Sequence, residues 1–102
     1  MTDGQGQTIL FYGTDLCGDC RVAKDVFQQE GVVFNYVNLN KTPEARGKVQ
    51  IISAEHGRGP AIPVIVFPPP IDRVFIEPRG EELEEMQATI RAWKASMSPE
   101  VG

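Results

Sequence analysis

The stretch Ile9-Leu10-Phe11-Tyr12-Gly13-Thr14-Asp15-Leu16-Cys17-Gly18-Asp19-Cys20-Arg21-Val22-Ala23-Lys24 decides how this chain folds. Its opening, Thr8 to Tyr12, is a short apolar, β-favouring run that stops at Gly13 and reads as a buried strand. Gly13 to Asp19 is a loop of turn formers. From Cys17 to about Gln29 the residues Val22, Ala23, Val26 and Phe27 fall at spacings of three and four, with Arg21, Lys24, Asp25 and Gln28 between them. That pattern predicts an amphipathic helix ending at Gly31. The pair Cys17 and Cys20 therefore lies where a strand hands over to a helix.

The alternation continues outward. Val32 to Leu39 is strand-like and bounded by Asn38 and Asn40. Thr42 as N-cap and Pro43 at the first helical position open a second helix, Glu44 to about Glu55, carrying Ala45, Val49, Ile52 and Ala54 and closed by Gly57 and Gly59. Ile62 to Phe67 is nearly all β-branched, as expected of a strand buried on both faces, and Pro68, Pro69 and Pro70 stop it. Val74 to Ile76 makes a brief last strand. Leu83, Met86, Ile90 and Trp93 then recur at helical spacing, behind Glu81, Glu82, Glu84 and Glu85, whose charge suits a helix start. The tail after Ser96 is expected to fray, and both termini to be flexible. The order βαβα then ββα predicts an α/β fold, a four-stranded mixed sheet flanked by three helices, with a parallel βαβ unit first and an antiparallel pair later.

Composition sets the outer limits. At 102 residues the chain has room for one domain, its core spanning about residues 8–95. Hydrophobic residues make up 41% and charged residues 24%, as in an ordinary globular chain that folds without staples. The net charge of -4 has the wrong sign for gripping a phosphate backbone, so nucleic acid is not an expected partner. No apolar run is long enough for a membrane span, and Met1 to Gln7 lacks the basic region of a secretion signal. A cytoplasmic monomer is the expectation, and in that reducing compartment a close cysteine pair points to catalysis or metal binding rather than to a structural disulfide.

At a helix start, unpaired amides and the helix dipole favour negative charge, so the thiolate of Cys17 gains there. A thiolate is the nucleophile of disulfide exchange. Cys20, one turn further in and nearer the core, is placed to attack a mixed disulfide formed on Cys17, and Gly18 leaves space for a substrate backbone beside the first sulfur. Other readings stand beside this one. A disulfide closing so short a loop gains only roughly 2 kcal/mol, which makes a poor staple. A chance pair is a second alternative. A zinc or iron-sulfur site needs more ligands than one chain offers, since His56 is the sole histidine and reads as a helix C-cap.

Ile9-Leu10-Phe11-Tyr12-Gly13-Thr14, Cys17-Gly18-Asp19-Cys20, Ala23-Lys24 and Ala61-Ile62-Pro63-Val64-Ile65-Val66-Phe67 together resemble the glutaredoxin branch of the thioredoxin superfamily, over about Thr8 to Ala95. The resemblance implies the same sheet and helices, and a cis Ile62-Pro63 bond lying against the cysteines as a substrate-docking element. Pro63 has no amide hydrogen, which leaves the backbone of Ile62 free to pair with an extended substrate. Read from the residues alone, Pro63 is a strand-opening proline. The stretch Phe67 to Pro78 is similar to mycoredoxins, although three prolines and Ile71-Asp72 stand where those have a Phe-Pro-x-Gly hairpin.

Two departures bear on the substrate. Family members that use glutathione usually carry a lysine shortly before the first cysteine and a Gly-Gly turn with an acidic residue after the last strand. Here those places hold Thr14-Asp15-Leu16 and Glu77-Pro78-Arg79-Gly80-Glu81. Asp19 is the second departure, because a carboxylate beside Cys17 opposes the dipole and disfavours the thiolate. Arg21 and Lys24 are the candidates to offset it, and a reducing rather than an oxidising catalyst is expected. The resemblance implies a thiol-disulfide oxidoreductase acting on protein or small-thiol mixed disulfides. It needs no bound cofactor, and its electrons come from glutathione, another small thiol or a flavoprotein reductase. The alternatives are an iron-sulfur carrier that uses Cys17 with an external thiol, and an interaction module that leaves its thiols idle.

Overall fold

The computed structural model describes residues 8–97. The elements follow in the order β1 (Leu10–Gly13), α1 (Gly18–Glu30), β2 (Asn35–Asn38), α2 (Arg46–Glu55), β3 (Val64–Phe67), β4 (Arg73–Ile76) and α3 (Glu81–Met97). The sheet order is β2-β1-β3-β4, with β1 parallel to β2 and antiparallel to β3, and β3 antiparallel to β4. This is the expected α/β architecture.

Period-two alternation sends the strands' side chains into two cores. On one face Phe11, Ile65 and Phe67 meet Cys20, Ala23 and Phe27 of α1 and Met86, Ile90 and Trp93 of α3. Aromatic rings dominate that layer, with Phe27 centred 5.8 Å from Phe11, 4.8 Å from Phe34 and 6.1 Å from Phe67. On the other face Tyr12 and Val64 pack with Leu39 and with Val49 of α2. The site-bearing helix α1 is thus fixed between the sheet and α3. Their far ends are also clamped, because Glu30 accepts hydrogen bonds from Gln87 (2.9 Å) and Arg91 (3.1 Å) and lies 3.6 Å from Lys94 Nζ. The Arg91 and Gln87 bonds, with the nearby positive charges, hold its carboxyl below the usual range.

Several boundaries differ from the sequence reading. Strand β2 begins only at Asn35, because its partner β1 is four residues long and the register closes at Leu10 with Asn35 and Gly13 with Asn38. Thr42 makes no side-chain cap; Ala45 N–H donates to its carbonyl at 3.0 Å, so Pro43–Ala45 is a 3-10 turn and α2 starts at Arg46. Strand β3 starts after Pro63, which has no N–H for the ladder. In α1 the buried stripe is Cys20, Ala23 and Phe27, which leaves Val22 47% exposed. In α2 Ala54 faces outward and Ser53 is buried in its place. Helix α3 carries through Ser96 to Met97; the rest of the tail, and residues 1–7, whose flexibility was expected, lie outside the described residues.

Ser53 Oγ is buried and has no hydrogen-bond partner among the described residues. An unpaired buried hydroxyl carries its desolvation cost uncompensated, so Ser53→Ala is expected to leave stability unchanged or raise it by up to about 1–2 kcal/mol. Urea midpoints of the two proteins check this, and a loss of stability would mean that the hydroxyl has a partner in solution.

Candidate active site

Strand β1 ends at Gly13, and the loop from Thr14 to Leu16 delivers Cys17 to the N-cap of α1 with an extended backbone, φ -83° and ψ 120°. Its sulfur takes the part usually played by a serine or aspartate oxygen, since Cys20 N–H donates to Cys17 Sγ at 3.2 Å. Cys17 is half-buried and Cys20 fully buried, and both are free thiols. Gly18 is exposed, and nothing lies within 4 Å of where its Cβ would stand.

Cys20 is held protonated. Burial first, and then its hydrogen bond to the Cys17 sulfur, push its pKa from an ordinary 9.0 up to about 12, against a smaller opposing bond from the Thr14 backbone. The two sulfurs are thus unlike: Cys17 is half-buried at the helix start, and Cys20 is fully buried behind it. Gly13 makes room for this arrangement, because a Cβ on it would stand 2.7 Å from Cys20 Sγ. Nothing in the sequence marked Gly13 for more than ending a strand.

The loop before Cys17 is tied from the side. Tyr36 O–H donates to Asp15 Oδ1 at 2.8 Å and Asn38 Nδ2 to Asp15 Oδ2 at 3.3 Å. Lys24 Nζ lies 3.8 Å from Asp15 Oδ1 and 3.9 Å from the centre of the Tyr36 ring. Burial, the bond to Asp15 and the nearby negative charges raise the Tyr36 pKa, and burial raises that of Tyr12.

Of the residues singled out to offset Asp19, Lys24 is therefore engaged with Asp15 and Tyr36, and Arg21 is exposed. Neither shares the helix face of Asp19, since steps of two and five residues turn away from it. The partner of Asp19 is Arg79, sixty residues along the chain, whose Nη2 and Nε reach Asp19 Oδ2 at 2.7 and 3.2 Å. Sequence reasoning registered Arg79 only as part of an atypical turn.

Ile62-Pro63 is a cis peptide. Pro63 is fully buried, its carbonyl accepts the Glu77 N–H at 2.7 Å, and Ile62 packs against both cores. Beside Ile62 runs a groove of about 220 Å³ lined by Leu39, Arg46, Val49, Gln50, Pro60 and Ala61. His56 sits at the C-terminus of α2, its Nδ1 2.9 Å from the Ile52 carbonyl oxygen, in keeping with a capping part. Among the described residues no group of three or more His, Cys, Asp or Glu is arranged to hold a metal, and no helix is long and apolar enough to cross a membrane.

Cys20 and both tyrosines are stabilised in their protonated forms by folding. Their contributions are complete below the unfolded values of about 9–10 and are lost as pH climbs through the raised folded values. The reduced protein is therefore expected to lose stability from about pH 9 upward, less steeply in Tyr36→Phe. Thermal melts across pH 8–11 under reductant would show it; a flat profile would mean that these groups are not buried as described.

No curated protein matches this chain significantly. A glutaredoxin from Archaeoglobus fulgidus matches as a solved structure with a TM-score of 0.63 and 24% identity, over 85% of this chain and 90% of that one, which bears on the fold. The glutaredoxin family model matches residues 9–76, more than half of the chain, from the start of β1 through the cysteine pair to the end of β4. With the Cys17–Cys20 pair at the head of α1 and the four-stranded sheet behind it, this chain belongs to the glutaredoxin family.

Proposed function

We propose that the protein is a thiol-disulfide oxidoreductase that reduces protein or small-thiol mixed disulfides. The observation that carries this reading is the asymmetry of the pair: a half-exposed Cys17 sulfur at a helix N-cap, backed by a buried Cys20 that keeps its proton. The Cys17 thiolate attacks a substrate disulfide, forms a Cys17 mixed disulfide and expels one substrate thiolate. Cys20 then attacks the Cys17 sulfur, giving the Cys17–Cys20 disulfide and the second substrate thiol, so two electrons have passed to the substrate. Once Cys17 is in the mixed disulfide its negative charge is gone, which removes one cause of the high Cys20 pKa at the moment Cys20 must ionise.

We assign the docking of the substrate backbone to Ile62 and Pro63, with Gly18 and Asp19 as further substrate contacts. A substrate extending past Ile62 enters the groove bordered by Arg46 and Gln50, whose polar ends suit the carboxylate of a small thiol such as glutathione. Two molecules of such a thiol, or a flavoprotein reductase, return the pair to the dithiol. The protein works as a monomer in a reducing compartment, the cytoplasm.

The test is a parallel assay of one mixed-disulfide substrate with glutathione, other small thiols and a thioredoxin-type reductase as donors, together with Cys20→Ser. The variant is expected to accumulate a mixed disulfide on Cys17, seen by mass spectrometry. Absence of turnover with every donor would overturn the reading.

A further inference from the structure

The sequence places a carboxylate two residues from the attacking sulfur, at the helix start whose dipole favours a thiolate. Left alone it would work against the chemistry just described. The structure supplies a counter-charge from outside the helix: Arg79, in the segment between β4 and α3, puts two nitrogens on one oxygen of Asp19. Arg79 is in turn oriented by Glu77, whose Oε2 lies 2.9 Å from Nη2, while the other oxygen of Glu77 pairs with Arg58 at 3.2 Å. Arg58 is anchored by a 2.8 Å bond to the carbonyl of Ile76, the last residue of β4. The Glu77 N–H holds the carbonyl of Pro63. Three charged side chains, Arg58, Glu77 and Arg79, thus run from the end of β4 to the first turn of α1, where the last of them pairs with Asp19.

We propose that Arg79 is a positioning residue for the nucleophile: by pairing with Asp19 it cancels the negative charge beside Cys17 and keeps the Cys17 thiolate populated.

An ion pair this exposed contributes little to fold stability, with Arg79 66% and Asp19 33% exposed at the side chain. Its effect falls on a charge that forms close by. The hydrogen bonds that Arg79 donates to Asp19 come first in raising the Arg79 pKa, followed by the charges of Asp19, Glu77 and, more weakly, Cys17. The other groups that bear on Cys17 are Cys20 and the α1 dipole on its own helix, and Tyr36 from β2 with Asp15 behind it; Lys24 is spent on Asp15. Arg79 is the cation that reaches across from the β4–α3 side.

The inference rests on Cys17 as the attacking thiol, and the test reads that sulfur directly, without disulfide turnover. Iodoacetamide alkylation of Cys17 is followed by mass spectrometry against pH in the full-length reduced protein and in Arg79→Gln, Asp19→Asn, the double variant and Arg79→Lys. On the rising limb of the profile Arg79→Gln is expected to react about three- to tenfold more slowly, its profile displaced to higher pH, and the gap to narrow in 1 M salt. The double variant is expected to return to within about twofold of the unmodified protein, and Arg79→Lys to recover part of the rate, because it restores the charge but not the two-point contact. A purely structural part for Arg79 would leave the profile in place. Equal rates in Arg79→Gln, or a double variant as slow as Arg79→Gln alone, would overturn the proposal. If the charge cycle behaves as expected while no donor supports disulfide reduction, the proposed function fails and the role of Arg79 stands.

Discussion

Cys17→Ser is expected to abolish disulfide reduction, by on the order of a thousandfold or more, while leaving the fold intact. Serine cannot form the mixed disulfide, and its hydroxyl is a weak nucleophile without an activating base. It is also among the best N-cap residues. The N-cap bond that Cys17 Sγ now accepts from Cys20 N–H passes naturally to a serine oxygen, so α1 keeps its start. Cys17→Ala should be equally inactive but less stable, by about 0.5–2 kcal/mol, because it loses that acceptor. Comparing the three proteins by urea unfolding and by reductase turnover separates chemistry from capping. Appreciable activity in Cys17→Ser would assign the attack to Cys20 instead.

Gly13→Ala is expected to damage both stability and turnover. Its new methyl would stand 2.7 Å from Cys20 Sγ, 3.4 Å from Cys20 Cβ and 3.3 Å from a ring carbon of Phe11. None of these can give way easily: Cys20 and Phe11 are both 0% exposed, and Phe11 is hemmed in by Phe27, Phe34 and Tyr36. Overpacking of this kind costs about 1–3 kcal/mol. The sulfur that must move is that of Cys20, the resolving thiol in the proposed cycle, so Cys17 mixed disulfides should persist longer in Gly13→Ala than in the unmodified protein. Trapping that intermediate by acid quench and mass spectrometry measures the effect; an unchanged lifetime would show that Cys20 can retreat without losing its line of attack.

The sequence reading and the structure agree where the information is local. The short apolar runs of β1 and β3, the apolar spacing of α3 and the handover from strand to helix at Cys17 each lie within a dozen residues, and the local hydrophobic pattern reports them directly. Disagreement begins where a residue's part depends on something distant. Val22 looks as apolar as Ala23, but only the second points between the sheet and α3. Thr42 has the chemistry of a cap, and the backbone closes that turn without it. Ser53 is buried because of where α2 lies, not because of what serine prefers. The Asp19 partner was sought within the same helix, where spacing can be counted, and was found across the fold, where it cannot. Gly13 was legible as a strand terminator, and its contact with Cys20 only as geometry.

Glu77 combines two duties in one residue: its backbone N–H holds the Pro63 carbonyl and its carboxylate joins Arg58 to Arg79. On the proposed role of Arg79, substitutions at positions 19, 58, 77 and 79 are expected to be coupled rather than independent. A lineage that loses the arginine at 79 gains from losing the acid at 19 as well, and relatives of this chain should keep or discard the two together.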